Sequence, residues 1–192
     1  MFKFIAVVLA LVVVAAPAHG RSRATYPSEG GLEGAVLDEI NFARTRPLDY
    51  AQSLRRGPRS EAVDEAIDFL EQQQPLAPLT WEPRLAASAA WLAADQGPNG
   101  GVSHTGSDGT RPMQRAQRQG LWSGIVAEEI SLGEEGDRDV VRQLIVDLGV
   151  PGSPHRRDLF SPALKRAGVG CGPHRRYGTI CVVDLSGTPM VR

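Results

Sequence analysis

Long apolar runs are nearly absent from this 192-residue chain; cysteine occurs only twice, histidine four times, and neither sign of charge dominates. Each shortage excludes something. Beyond the N-terminus no stretch approaches the ~20 apolar residues that a membrane-spanning helix needs, so no transmembrane segment is expected in the mature protein. A net charge of −1 sets up no broad field to gather nucleic acid or anionic lipid. The basic pairs Arg55-Arg56, Arg156-Arg157 and Arg175-Arg176 have no interleaved aromatic side chains on which bases would stack, and no nucleic-acid partner is expected. The spacings HExxH, CxxC and Gly-x-Ser-x-Gly are missing, so no local motif forces metal ligands or a serine nucleophile together.

The N-terminus is the apolar exception. MFKFIAVVLALVVVAAPA has one positive charge at Lys3, an apolar run from Phe4 to Ala16 and the small-x-small site Ala16-Pro17-Ala18, which reads as a cleavable signal peptide over residues 1–18. Ala18-His19-Gly20 offers a second register. Neither cysteine lies at the cleavage site to carry a lipid anchor, and a secreted or periplasmic location is expected. Residues 19–31 are polar and rich in Gly, Ser and Pro, a flexible lead-in. The remaining length suits one domain over residues 32–188, expected as a monomer. In an oxidising compartment Cys171 and Cys181 default to a disulfide, with Pro173 to Gly178 turning the chain between them.

Leu32, Val36, Ile40 and Ala43 recur at helical spacing up to Pro47. Ser60 is placed to cap a second helix that turns Val63, Ala66, Ile67 and Leu70 inward and stops before Pro75. Pro83 opens an alanine-rich third helix bearing Leu85, Ala89 and Leu92, with the Gly97–Gly101 stretch read as its sequel. A short helix follows from Thr110 or Pro112 to Gly120, then a strand at 125–131 and a helix carrying Val140, Val141, Leu144 and Ile145. Two strand-like segments from Ala167 and Thr179 close the chain as a hairpin. Helices early, strands late and no regular βαβ alternation indicate an α+β or layered αβα arrangement around an antiparallel sheet.

Chemistry has few candidate carriers. His19 lies in the lead-in, and His174 sits in the hairpin turn, where exposure is expected. His104, within SHTGSDG at 103–109, and His155, within a segment whose Gly and Pro content argues against helix, are placed where loops present side chains. Each is equally readable as a loop histidine bonded to nearby backbone. Strand alternation sends Glu128 and Glu129 to opposite faces. Asp147, at a helix C-terminus, meets the negative end of the helix dipole at a penalty of roughly 0.3–1 kcal/mol and so invites a partner. Chain spacing alone does not bring these groups together.

Their order in the chain carries more. VLDEINFARTRP at 36–47, LTWEPRLAASAAWLAAD at 79–95, SHTGSDGTRPMQRAQRQG at 103–120, VAEEIS at 126–131, VVRQLIVDLGVPGSPHRRDLFSP at 140–162 and GVGCGPHRRYGTICVVDLSG at 168–187 form a succession that resembles the bacterial secreted CAP superfamily, the SCP-like extracellular domain. The resemblance implies a three-layer αβα sandwich with a central antiparallel sheet and an open cleft displaying two histidines and two acids. It maps His104 onto the family's Ser-His segment, Glu128 onto its Gly-Glu-Asn strand, His155 onto its Gly-His-Arg segment and Asp147 onto the second acid. Glu128 then faces the cleft and Glu129 faces away. Ala127, Glu129 and Pro154 depart from the family's glycine, asparagine and glycine, and aspartate at 147 is one methylene shorter than glutamate.

Two imidazoles and two carboxylates suit zinc or another divalent ion. The resulting expectation is a ligand-binding CAP module, metal-linked, whose ligand is a small molecule, lipid or protein. Its alternatives are a metal-dependent hydrolase or peptidase with Glu128 as base, and a structural interaction protein in which the polar groups only fix loops. In that last reading Arg156 and Arg157 pair with Asp158, Glu134 and Glu135 on a solvated face.

Overall fold

The computed structural model describes residues 31–190. The expected signal peptide, and the expected lead-in as far as residue 30, lie outside the described residues. Helix α1 (Leu32–Thr45) buries Val36, Leu37, Ile40 and Ala43. The sequence offered Pro47 only as a stop, yet α2 (Pro47–Arg55) starts there and buries Tyr50, Ala51 and Leu54. Proline lacks the N–H that a first helical residue would leave unpaired, so it begins helices as readily as it ends them. In α3 (Glu61–Gln72) the Ser60 hydroxyl accepts from the Val63 amide at 3.3 Å, and Val63, Ala66, Ile67 and Leu70 are buried.

After the short strand β1 (Thr80–Trp81), α4 (Pro83–Asn99) runs further than its sequence suggests, through Gly97 and Pro98 to a left-handed cap at Gly100. Gly97 is needed there because a Cβ would lie 2.2 Å from the Pro173 carbonyl oxygen. Then come α5 (Pro112–Arg118), β2 (Val126–Leu132), α6 (Asp137–Val146) and α7 (Pro154–Leu159). This last helix occupies the segment judged too rich in Gly and Pro, with Pro154 in its first turn. Strands β3 (Arg166–His174) and β4 (Gly178–Ser186) form the closing hairpin.

The sheet order is β1-β3-β4-β2. The three long strands pair antiparallel, whereas β1 pairs parallel with β3 through two residues, so the sheet is mixed rather than wholly antiparallel. One face carries α4, whose Ala89, Leu92 and Ala93 pack on Ile180 and Val182. The opposite face packs Val169, Val183 and Leu185 against side chains of α1, α3 and α6, completing the αβα layers. Cys171 and Cys181 are register partners joined by a disulfide, with Cα atoms 4.1 Å apart. Closing that loop stabilises the fold by about 2–3 kcal/mol. No helix among the described residues is long and apolar enough to cross a membrane.

Helix α4 sits so close to β3 that a Cβ on Gly168 would lie 2.0 Å from the Ala86 nitrogen, and one on Gly170 2.2 Å from the Ala90 nitrogen. These are backbone contacts that no rotamer change relieves. Gly168→Ala is expected to lose about 3 kcal/mol in urea unfolding, at the upper end for overpacking; an unchanged midpoint would show that the layers part freely.

Candidate functional site

Strand β2 organises the polar centre. On its α4 side, Glu128 is fully buried at the side chain, and one oxygen accepts from His104 Nδ1 at 2.9 Å while the other accepts from Arg115 Nη2. Arg115 also donates through Nη1 to the Thr110 carbonyl at 2.8 Å and the His104 carbonyl at 3.1 Å. The histidine loop is built tightly. Its Ser103 amide donates to Gln96 Oε1, its Ser107 amide to Asp95 Oδ2, and its Gly106 amide to the Thr110 carbonyl. Gly106 lies against Trp91, where a Cβ would come within 2.6 Å of the ring. The His104 ring is left half exposed.

Directly across from Glu128 in the β2–β4 register stands Asp184, wholly buried. Burial, followed by the charge of Glu128, pushes its carboxyl well above the usual carboxylate range. Asp184 and Glu128 thus share one buried stretch of the β2–β4 ladder, with the Arg115 guanidinium bonded to Glu128.

The second histidine is held by a different device. Asp147 caps α6 in a left-handed conformation, φ 55° and ψ 41°, which turns its carboxylate away from the α6 carbonyls and onto the start of α7. There Oδ2 accepts from the His155 amide at 3.0 Å and the Arg156 amide at 3.4 Å, while Oδ1 accepts from His155 Nδ1 at 2.7 Å. The partner that an acid at a helix C-terminus invites is thus the N-terminus of the next helix and its histidine. Ser153, φ 44°, is the other non-glycine residue with positive φ among the described residues, so both ends of the 147–153 turn are in a sparsely populated backbone region.

Glu129 lies on the face opposite Glu128, as alternation requires, but that face brings it to His155, with Oε2 3.7 Å from Nε2, so it does not face away from both histidines as the resemblance implied. Its Oε1 is buried without a hydrogen-bond partner of ordinary geometry. Burial first, and then Asp158, Asp147 and Glu128, push its carboxyl up to about 9. Where an asparagine was the resemblance's expectation, this chain carries a neutral acid.

Of the four groups expected around one cleft, His104 contacts Glu128 and His155 contacts Asp147. Among the described residues, no group of three or more His, Cys, Asp and Glu is arranged to hold a metal ion. The carboxylate oxygens are engaged as Nδ1 partners, the outer-shell role seen behind metal-binding histidines. What remains for an ion is imidazole Nε2. Residues 37–185 match the cysteine-rich secretory protein family, CAP. The chain belongs to the CAP family.

Solved structures are similar to this chain at low identity. An outer surface protein of Borrelia burgdorferi is 19% identical with a TM-score of 0.49, over 78% of this chain and 92% of that one. An extracellular SCP-domain protein of Bacillus anthracis is 17% identical (TM-score 0.49, 69% of this chain and 45% of that one). A cysteine-rich secretory protein of Staphylococcus aureus is 9% identical (TM-score 0.48, 81% and 39%). The chain thus spans less than half of the latter two. No curated protein matches it.

Beside the second pair, this CAP domain opens a cleft of about 560 Å³ whose walls include Ile130, Leu132 and Val146 and which ends on Asp147 and His155. Leu148 and Val150 stand exposed at its lip.

His174 is buried rather than exposed: Nε2 donates to the Gly101 carbonyl at 2.7 Å, and Nδ1 accepts from the Arg176 and Tyr177 amides. Arg156 is buried too, bonded to Glu65 at 2.6 Å and to the Ile145 carbonyl at 3.0 Å, and not to Asp158 or the Glu134-Glu135 pair. Arg115, which ties the His104 loop to Glu128, went unread, because nothing in MQRAQRQ sets it apart from its exposed neighbour Arg118.

Proposed function

We propose that this CAP domain is an exported ligand-binding module whose cleft runs along β2 to His155, with zinc or a similar divalent ion bound through imidazole Nε2. The observation that carries the reading is the partly apolar cleft ending on a histidine that a carboxylate holds by its Nδ1. The lining sets its apolar side chains beside Arg59, Glu134, Asp139, Arg142 and Gln143, and apolar walls with convergent polar groups are what a ligand site offers. Nδ1–H donation to a carboxylate leaves Nε2 as the metal-binding nitrogen. His104 is fixed the same way by Glu128. Bound at His155, an ion would find an imidazole nitrogen and would supply an electrophilic centre; the chain's own part is to hold each ring by its Nδ1. Neither ring bonds a serine or threonine hydroxyl among the described residues, and Ser103 Oγ instead accepts from the Thr105 amide at 3.0 Å. Ligand binding is therefore preferred over a serine-type hydrolase.

Two titrations test this. Zinc added to metal-stripped protein near pH 7.5 in a calorimeter is expected to show one binding event that His104→Ala/His155→Ala abolishes. Absence of heat from the wild type overturns the metal part. Anilinonaphthalene sulfonate is expected to bind the folded protein at one site lost in Ile130→Lys; binding unaffected by that change removes the cleft.

A further inference from the structure

Strand β2 is an edge of the sheet, paired only with β4. The Gly133 amide donates to the Thr179 carbonyl and the Gly187 amide to the Ile125 carbonyl, at 3.0 and 3.2 Å. With Glu128 opposite Asp184 and Ile130 opposite Val182, these bonds fix the pattern: odd-numbered residues of β2 direct their main-chain groups to β4, and even-numbered ones direct theirs outward. Leu132 shows what completes this outer edge. Its N–H donates to Gln143 Oε1 and its carbonyl accepts from Gln143 Nε2, both at 3.0 Å. A side-chain carboxamide, chemically a peptide group, makes there the two bonds that a neighbouring strand would make. The N–H and C=O of Glu128 and Ile130, the next outward positions at a spacing of about 6.8 Å, have no such partner among the described residues. The cleft lies along this edge, with Ile130 and Leu132 in its wall and Leu148 and Val150 exposed at its lip.

We infer that the cleft binds an extended peptide segment as a fifth strand on β2, continuing from the Gln143 carboxamide past Ile130 to Glu128. Main-chain bonds supply the affinity, as in other strand-addition sites. Ile130, Leu132, Leu148 and Val150 favour β-branched or aliphatic side chains at alternate positions, and Arg59, Glu134, Asp139 and Arg142, also in the lining, favour polar ones between them. An unpaired edge is a hazard in an exported protein, and this one is confined: Gln143 closes one end, and the polar groups around Glu128 mark the other. The inference rests on the cleft being the binding site but requires neither a metal nor either imidazole.

The probe is acetyl-Lys-Val-Thr-Val-Thr-Val-Lys-amide, beside the same peptide N-methylated throughout its centre, added to nitrogen-15-labelled protein and read by amide hydrogen exchange. In the free protein the amides of Glu128 and Ile130 are expected to exchange quickly while those of Ala127, Glu129, Ser131 and Leu132 are protected. The peptide is expected to slow Glu128 and Ile130 about tenfold or more, a shift within the range of local opening, and the N-methylated form to leave them unchanged. Three results overturn the inference: protection of both amides without peptide, no slowing at millimolar peptide, or equal slowing by the N-methylated form. If anilinonaphthalene sulfonate still binds while the peptide fails, the cleft stands and strand addition falls.

Discussion

Replacing Arg115 with methionine is expected to cost about 3–5 kcal/mol, the range for removing one partner of a buried ion pair, the largest loss expected for any single side chain here. Glu128 is wholly buried at the side chain, and Arg115 Nη2 occupies one of its two oxygens. Methionine fills the space but leaves the carboxylate facing a half-exposed imidazole and the neighbouring Asp184. The same change frees the His104 and Thr110 carbonyls, so the His104 loop loosens with it. Urea unfolding at neutral pH measures the loss, and Arg115→Met/Glu128→Gln separates its parts. Recovery of most of the loss in the double variant attributes it to the stranded charge. A loss as large in the double variant as in the single one assigns it to the carbonyls instead.

Glu129→Gln is expected to stabilise the protein, and increasingly so as pH rises. Below about 4.5 the Glu129 carboxyl is protonated whether the chain is folded or not and contributes nothing to pH dependence. Between there and about 9 it ionises only in the unfolded chain, so the wild type loses stability steadily through that window. Glutamine has no proton to lose and can make the same contacts to Asp158 and His155. The gain should be near zero at pH 4 and about 2–3 kcal/mol at pH 7, from 1.36 kcal/mol per pH unit with allowance for relaxation at the buried site. Asp184 imposes a slope of the same sign in both proteins, so the difference between them is what counts. A difference that stays constant from pH 4.5 to 9 would show that Glu129 is ionised in the folded state.

Features written in neighbouring residues were legible in the sequence. The Ser60 cap, the Gly120 helix stop, the α6 stripe and the Cys171–Cys181 hairpin each need only a few residues of context, and all are present. Proline misled twice, at α2 and α7, because the same ring that ends one helix begins another. The polar interior was the least readable. Arg44 looks like a surface residue of α1, yet it is buried among the carbonyls of Ala77, Leu159, Ser161 and Leu164, 33 to 120 positions away, and its guanidinium is lowered to about 10 by burial alone. No local pattern encodes partners at that range. The resemblance implies His104, Glu128, Asp147 and His155 as one set around a cleft and not as pairs, and only the eight-residue step from Asp147 to His155 is short enough to invite a guess from spacing.

The left-handed backbone at Asp147 also limits which acids can occupy this place. Among residues with a carboxylate, aspartate visits that conformation most readily, because its short side chain bonds locally. A glutamate arising by mutation would enter a strained conformation with a longer reach, and would have to rebuild the 147–153 turn before it could cap α7. The missing methylene is therefore a condition of the turn, and evolutionary drift at this position should be confined to aspartate, asparagine and glycine, of which only the first keeps the charge.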